Sequence, residues 1–292
     1  MLSVLIPTYN YNAFPLVKEI HSQLIILKID FEIICIDDGS NFEENYKNND
    51  ISKLESSSFE ILKNNIGRSA IRNLLATKAK YDWLLYLDAD VMPKNEDFIS
   101  NYLNFVKDDN SIFCGGLLYE NKWEHKRLLR YKYGKKFEEV SLEKRINNSE
   151  KYFFTSNFLI PKKIFETVVF EEKLKVYGRE DLLFSMNLNK NNFKIKHIEN
   201  QVIHLGIDSN QIFVAKTKKA MENLSLMKNE NLIDNTEVTL LNVVTKLSKF
   251  RIHKRLGKTY PLFEKLTISL SSVFFFNCLK VTYLCHLRSA YE

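Results

Sequence analysis

At 292 residues, with 45% apolar and 27% charged residues, the chain is long enough for one large domain plus an appendage and too apolar to be disordered. Eight glycines, five prolines and four cysteines exclude collagen-like, coiled-coil and disulfide-scaffold proteins. The net charge of +6 is unevenly spread, −7 over residues 1–120 and +13 over 121–292, which makes the first part a poor partner for nucleic acid.

In chain order, Ser3–Pro7 is a short apolar run closed by a proline, the pattern of a buried strand running into a loop. Pro15 opens a helix with Val17, Ile20, Leu24 and Leu27 at helical spacing. Phe31–Ile36 is a second strand that stops at Asp37-Asp38-Gly39-Ser40, and Phe59–Leu62 a third, followed by Asn64-Asn65-Ile66-Gly67. A helix over 68–80 leads to the strand Trp83–Leu87, which ends at Asp88-Ala89-Asp90. A helix over 96–106 and a strand over 112–118 continue the alternation, while 119–150 is basic and aromatic without a period and reads as a loop or lid. Thr155–Ile160 is another strand, Glu180–Leu188 a short helix, Lys194–Ile203 a hairpin or strand pair, and beyond 209 the chain is helical. Alternating strands and helices predict a mostly parallel sheet with helices on both faces, whose ligand site lies beyond the carboxyl ends of the strands. The clusters Thr8-Tyr9-Asn10, Asp37-Asp38 and Asp88/Asp90 should therefore meet on one rim.

Cys35, Cys114, Cys278 and Cys285 have no CxxC spacing, so they read as reduced thiols rather than a zinc or redox site. The first residues carry neither a basic segment nor a long apolar stretch, so a cytoplasmic protein is expected, with Asn147 and Asn223 unglycosylated.

Asp88 and Asp90, on alternate residues at a strand end, suit a shared Mg²⁺ or Mn²⁺ whose shell substrate phosphates complete. A carboxylate at Asp38 has the acceptor geometry for a nucleobase imide or a ribose hydroxyl, although Asp-Asp-Gly-Ser is also an ordinary turn. Asn65-x-Gly67-Arg68 with Arg72-Asn73 sets two guanidinium groups one helical turn apart at a helix start, where a diphosphate would be welcome. Glu180-Asp181 opens an apolar helix and reads either as capping or as a general base for an acceptor hydroxyl. His204 ends a strand and is a candidate metal ligand or a structural histidine.

Taken in order, Pro7-Thr8-Tyr9-Asn10, Asp37-Asp38-Gly39-Ser40, Asn65-Ile66-Gly67-Arg68 through Arg72-Asn73, Asp88-Ala89-Asp90 and Glu180-Asp181 resemble family 2 glycosyltransferases. The resemblance covers residues 1–208 and implies the GT-A fold, a nucleotide-sugar-binding half over 1–118 and an acceptor half over 119–208, with 209–292 a helical extension. It implies that Pro7, Thr8 and Tyr9 pack on the nucleotide base, that Asp38 binds that base, and that Asn65, Gly67 and Arg68 lie near the base or diphosphate. It further implies Asp88 and Ala89 at the ribose, a metal held by Asp90 with Asp88 and His204, Asp181 as base and Glu180 against the acceptor. The implied activity is an inverting, metal-assisted transfer from a nucleotide-diphosphate sugar, most often a UDP-sugar, to a glycan or lipid-linked acceptor. Tyr177, Trp123 and Tyr119 are candidate sugar-stacking rings beside their ordinary use in packing. The Lys-, Asn- and Ile-rich composition points to a bacterial source, and with the resemblance the expected role is surface polysaccharide synthesis.

The tail lies outside the resemblance. Seven Lys/Arg and one Glu lie between 246 and 265, and Leu266–Cys285 has the single charge Lys280. A membrane-surface helix at the inner face of the cell membrane, a helix packed on the catalytic domain or a dimer partner, and a marginal span are the three readings. Two other function classes fit the sequence less well. A sugar nucleotidyltransferase needs a Gly-rich, Arg-bearing loop after the first strand, where Pro7-Thr8-Tyr9-Asn10 stands. A scaffold with a decayed site is disfavoured by the intact Asp88, Asp90 and Asp181.

Overall fold

The computed structural model describes every residue except Phe42, Trp123, 125–127 and Glu292, with the backbone alone at 43, 44 and 291. Two compact units form: one from 1–120, 137–175 and 180–206, the other from 121–136, 176–179 and 207–292.

The first unit begins β1 (Leu2–Thr8), α1 (Phe14–Leu27), β2 (Phe31–Asp37), a 3₁₀ segment (Glu43–Lys53), β3 (Ser57–Ile61), α2 (Arg68–Lys78), β4 (Trp83–Leu87) and β5 (Val91–Pro93). It continues with α3 (Phe98–Leu103), β6 (Ser111–Cys114) and β7 (Leu117–Tyr119). After α4 (Leu129–Phe137), nearly all of it in the second unit, come α5 (Leu142–Ile146), β8 (Asn157–Pro161), α6 (Lys162–Thr167), α7 (Glu180–Lys190), β9 (Lys194–His197) and β10 (Val202–His204). Seven strands form one sheet in the order β3-β2-β1-β4-β8-β6-β9, parallel except for β8, which runs against both β4 and β6. The apolar runs fit this arrangement, since strands covered on both faces have no polar side to show. On one face Leu5, Ile36, Tyr86 and Ile160 pack under α2, α6 and α7 through Ile71, Leu75, Phe165 and Phe184. Tyr86 stacks on Phe158 at 4.9 Å and Phe170 on Phe184 at 4.1 Å, and each buried ring stabilises by about 2–3 kcal/mol. On the other face α1 lies against β2 and α3, with Leu16, Val17, Ile20 and Leu24 buried.

Three local expectations need correction. The 112–118 strand is split at Gly115-Gly116 into β6 and β7, because a side chain at Gly115 would meet the Asn200 carbonyl at 2.1 Å. Lys194–Ile203 is not a hairpin: β9 joins the large sheet beside β6, whereas β10 joins β5 and β7 in a second, three-stranded sheet. Within 119–150, read as loop, lie α4 and α5; α4 buries Arg130 and Gly134 beside Leu129 and Tyr131, so its inner face has no apolar period to read.

The second unit is helical: α8 (Asn210–Asn229), α9 (Thr239–Lys249), α10 (Ile252–Gly257), α11 (Tyr260–Leu270) and α12 (Val273–Tyr291), with α12 packed against each of the others. The apolar stretch 266–285 is divided between α11 and α12 at Ser271, whose φ is +47°, so it is not one helix. Among the described residues no helix is long and apolar enough to cross a membrane. All four cysteines are free thiols.

Candidate active site

The carboxyl ends of β1, β2 and β4 deliver the site within the first unit. At β1, Thr8 is buried and its Oγ1 donates to the Tyr11 carbonyl, Pro7 is half-buried beside β2, and Tyr9 is 53% exposed. At β2, Asp37 is sealed from solvent and accepts from the Ser40 N–H and hydroxyl, both at 2.7 Å, while Ser40 Oγ accepts the Asn10 N–H at 2.6 Å. This chain ties the β1 and β2 loops together. Asp38 accepts the Ile66 N–H at 2.7 Å and the Gly67 N–H at 3.0 Å, and its carbonyl accepts from Asn65 Nδ2. Burial raises the Asp38 carboxyl, the two N–H bonds oppose that, and neighbouring Asp37 adds to it. Gly39 is required there: its φ is +72° and a Cβ would lie 2.7 Å from the Asn64 backbone.

Past β4, two charge groupings stand. In the first, Arg72 Nη2 donates to Asp88 Oδ1 at 2.6 Å and to Thr155 Oγ1 at 3.1 Å, and Arg68 Nη2 lies 3.6 Å from Asp88 Oδ2. Arg68 Nε also donates to Glu180 Oε1 at 2.5 Å, which links the β4 end to the start of α7. Burial alone would raise Asp88, yet Arg72 first, then Arg68 and His204, hold its carboxyl below the usual carboxylate range. The second oxygen of buried Glu180, Oε2, has no hydrogen-bond partner among the described residues. Asp181 follows in the first turn of α7, half-buried, with Oδ1 accepting the Leu182 N–H at 2.8 Å.

The second grouping is Asp90 with His204, Oδ2 and Nε2 being 3.7 Å apart. The small sheet makes this meeting, because β10 sets His204 opposite Val91 on one side and Tyr119 on the other. Leu205 N–H donates to the Asp90 carbonyl at 2.8 Å, and a Cβ on Gly206 would fall 2.2 Å from Asp90 Oδ2. Ala89, between the two aspartates, is buried.

One carboxylate just before β5 and one imidazole at the end of β10 match the donor preference of Mn²⁺, with phosphate oxygens and water left to fill the shell. Among the described residues no group of three or more His, Cys, Asp or Glu side chains is gathered to hold a metal ion, and Asp88 is engaged by arginines. The fit to a divalent cation therefore rests on two protein ligands, Asp90 and His204.

Some side chains stand differently from the sequence reading. Arg72 does not present its guanidinium to a ligand: its side chain is 2% exposed and is the counter-ion of Asp88. Tyr119 is buried and stacks on His204 at 5.4 Å, so it orients the imidazole rather than offering a platform. In the second unit Tyr177 lies under Lys216, whose Nζ is 5.4 Å from its ring, and Trp123 falls outside the described residues. Tyr11 was not singled out, yet burial and the charge of Asp90 raise its hydroxyl above the ordinary value. Its position after the Pro7-Thr8-Tyr9-Asn10 segment was the available signal. Gly206 was missed too, although Gly after a strand-ending His marks a close approach.

The model of the family "Glycosyl transferase family 2" matches residues 3–169, more than half of the chain. The chain belongs to glycosyl transferase family 2. It has the GT-A fold expected from its motifs. Among solved structures it is similar to TarS of S. aureus, at 16% identity and TM-score 0.53, over 100% of this chain and 53% of TarS. It is similar to the mannosyltransferase PcManGT of Pyrobaculum calidifontis, crystallised with GDP-Man and Mn²⁺, at 10% identity and TM-score 0.60, over 99% of this chain and 86% of that one. A third is GalNAc-T7 with UDP, GalNAc and Mn²⁺, at 18% identity and TM-score 0.52, over 71% of this chain and 43% of that one. The chain spans about half the length of the TarS chain, 53% of it. Comparison with curated protein sequences gave no match. The family segment carries the strand-end clusters of β1, β2 and β4, whereas Glu180, Asp181 and His204 lie beyond residue 169.

A first prediction concerns Gly206. Gly206→Ala must push Asp90 away from His204 without touching the large sheet, so Mn²⁺-dependent nucleotide affinity should fall about 10–100-fold while the melting temperature holds. Calorimetric titration checks it, and unchanged affinity would remove the Asp90–His204 pair from the site.

Proposed function

We propose that this glycosyltransferase moves a sugar from a nucleotide-diphosphate donor, a UDP-sugar, to a hydroxyl of a glycan or lipid-linked acceptor. The observation that carries the reading is the pair of groupings past β4: Arg68 between Asp88 and Glu180, and Asp90 against His204. GDP-Man with Mn²⁺ on one neighbour of the same fold, and UDP, GalNAc and Mn²⁺ on another, support it. In the reading, the base packs on Pro7, Thr8 and Tyr9 beside the Asp38–Asn65–Gly67 clamp, with the ribose near Asp88 and Ala89. Arg68, 40% exposed, meets the charge that grows on the leaving diphosphate. Asp90 and His204 would hold Mn²⁺ or Mg²⁺, which when bound neutralises that same charge as a Lewis acid. Asp181 takes the proton of the acceptor hydroxyl as its oxygen bonds the anomeric carbon and the bond to the diphosphate breaks, with Glu180 against the acceptor. One displacement inverts the anomeric centre.

Titration of UDP, GDP and dTDP with and without Mn²⁺ tests the reading. One nucleotide should bind in a metal-dependent way, and Asp90→Ala should weaken it by at least tenfold; no binding in any condition would overturn it.

The same reading puts the enzyme in the cytoplasm at the inner membrane face, in bacterial surface polysaccharide synthesis. Phe250, Ile252 and Leu262 are exposed in the stretch with seven Lys/Arg, and Leu270 and Phe274 just beyond it, a combination suited to an anionic bilayer at about 1 kcal/mol per basic residue. Sedimentation with phosphatidylglycerol vesicles but not phosphatidylcholine vesicles, reduced in Phe250→Ser, is the expected result. Equal recovery with both lipids would sink the membrane contact.

A further inference from the structure

At 3.7 Å the Asp90 carboxylate and the His204 imidazole are too far apart to hold each other by a hydrogen bond. The imidazole is held by its face. Tyr119 stacks on it with the ring centroids 5.4 Å apart and the planes inclined by only 15°. A face-to-face contact covers the flat side of an imidazole and leaves both nitrogen-bearing edges outside the contact, whereas an edge-on contact would take up an edge.

Tyr119 is itself anchored at two points. Its buried hydroxyl donates to Glu138 Oε2, and its N–H donates to Glu139 Oε2 at 2.8 Å. β7 is an edge of the three-stranded sheet, where N–H groups on the open side need an acceptor from outside the sheet. The start of β7 is fixed separately. The Gly116 carbonyl accepts from Asn157 Nδ2 at 3.1 Å and from the Val202 N–H at 3.2 Å, and a Cβ on Gly116 would meet Arg145 Cζ at 2.8 Å. At the other end of this three-residue strand the two glutamates hold Tyr119. Asp90, Tyr119, Glu138, Glu139 and His204 all belong to the first unit.

One acceptor satisfies a buried phenol; a second carboxylate on the backbone of the same residue fixes the direction of the ring as well as its place. The bond from the hydroxyl to a carboxylate also enriches the tyrosine ring in electron density, and such a face favours a stacked imidazole that shares a cation's charge. We infer that Glu138 and Glu139 are positioning residues: through Tyr119 they hold the His204 imidazole toward Asp90, in the orientation in which the pair takes a divalent cation. The inference rests on the metal reading of Asp90 and His204 above. It makes the acidic pair that follows α4 a determinant of metal affinity although neither glutamate is a ligand.

The test is nuclear magnetic resonance of the full chain with isotope-labelled histidine, the His204 signal being identified by its loss in His204→Gln. Mn²⁺ alone, titrated without nucleotide, should broaden that signal in the wild type. Tyr119→Phe, Glu138→Ala and Glu139→Ala should each need about tenfold more Mn²⁺ for the same broadening. Glu138→Gln keeps an oxygen to accept the hydroxyl and should stay close to the wild type. His197, a buried ring on β9 whose Nε2 lies 2.9 Å from the Ser149 carbonyl, should give an unmoved signal in all four variants before metal is added, which sets misfolding aside. A role in packing alone would lower the melting temperature and leave the Mn²⁺ requirement as it was. If any of the first three variants broadens at the wild-type concentration, that residue only packs and the inference is overturned for it, while the metal pair stands. Equal weakening in Glu138→Gln and Glu138→Ala would overturn the hydroxyl bond as the anchor. Should His204 fail to broaden even in the wild type, the metal pair and this inference fall together.

Discussion

Arg72→Met is expected to destabilise the protein by about 3 kcal/mol and to remove detectable sugar transfer. Methionine fills much of the volume and keeps contact with Phe170, whose ring lies 5.6 Å from the guanidinium carbon. What it cannot do is answer Asp88, which loses its 2.6 Å partner, or Thr155 and the Arg68 carbonyl, which lose theirs at 3.1 Å. Removing one member of a buried pair strands the other, and the lower end of the usual cost applies because 21% of the Asp88 side chain reaches solvent. The pH dependence separates this cause from lost packing. The folded Asp88 carboxyl titrates below its unfolded value of about 3.9, so its stabilisation is complete above that value and is lost as pH falls through the folded one. Urea unfolding should therefore show a large difference between wild type and Arg72→Met at neutral pH that shrinks below about pH 4. A difference that is the same at both pH values would mean the arginine acts through its bulk. Transfer is lost in either case only if Arg68 and Asp88 shift, which unchanged nucleotide affinity in the variant would contradict.

The strands that build the rim were readable because each is a short apolar run cut off by polar residues, as at Ile36-Asp37-Asp38 and Leu87-Asp88. Burial on both faces demands such runs, and the parallel register of β1 with β2 and β4 then brings their ends together. Direction is not written that way: Asn157–Pro161 has the same apolar character whether it runs with β4 or against it, and it runs against. Small sheets are harder still, since three residues such as Val202–His204 fix nothing by themselves until Val91 and Tyr119 supply partners. Helix α4 was hidden because arginine and tyrosine stems do the packing that leucines usually announce.

At the site, residue types were legible and their partners were not. The two guanidinium groups at the start of α2 read as equals, one turn apart. Packing separates them: Arg72 lies inward against Asp88 and Thr155, and Arg68 stays 40% exposed between Asp88 and Glu180. Asp38 is similar, its carboxylate engaged by backbone N–H groups of Ile66 and Gly67 that lie 28 and 29 residues away. Its place after a strand was visible, whereas a clamp between two loops depends on contacts that spacing does not encode. His204 was a candidate ligand from its place at a strand end and from the family resemblance, and the register of β10 against β5 is the physical reason it meets Asp90.

Asp181→Asn should lower kcat by about 10²–10⁴-fold with little change in nucleotide affinity, the range for loss of a general base. Asparagine keeps the carbonyl oxygen that accepts the Leu182 N–H, so α7 should start as before and the melting temperature should hold. Glu180→Gln is the control, because it changes the neighbouring carboxylate while preserving an acceptor for Arg68 Nε. Its oxygen Oε2 is buried without a hydrogen-bond partner among the described residues, a costly arrangement that an acceptor hydroxyl donating to it would relieve. Glu180→Gln should therefore raise the acceptor KM more than it lowers kcat, the reverse of Asp181→Asn. A pH profile adds the last discrimination: the acidic limb of kcat should vanish in Asp181→Asn and persist in Glu180→Gln. Should kcat in Asp181→Asn fall less than about tenfold while Glu180→Gln loses the acidic limb, the proton goes to Glu180, and Asp181 is a helix cap.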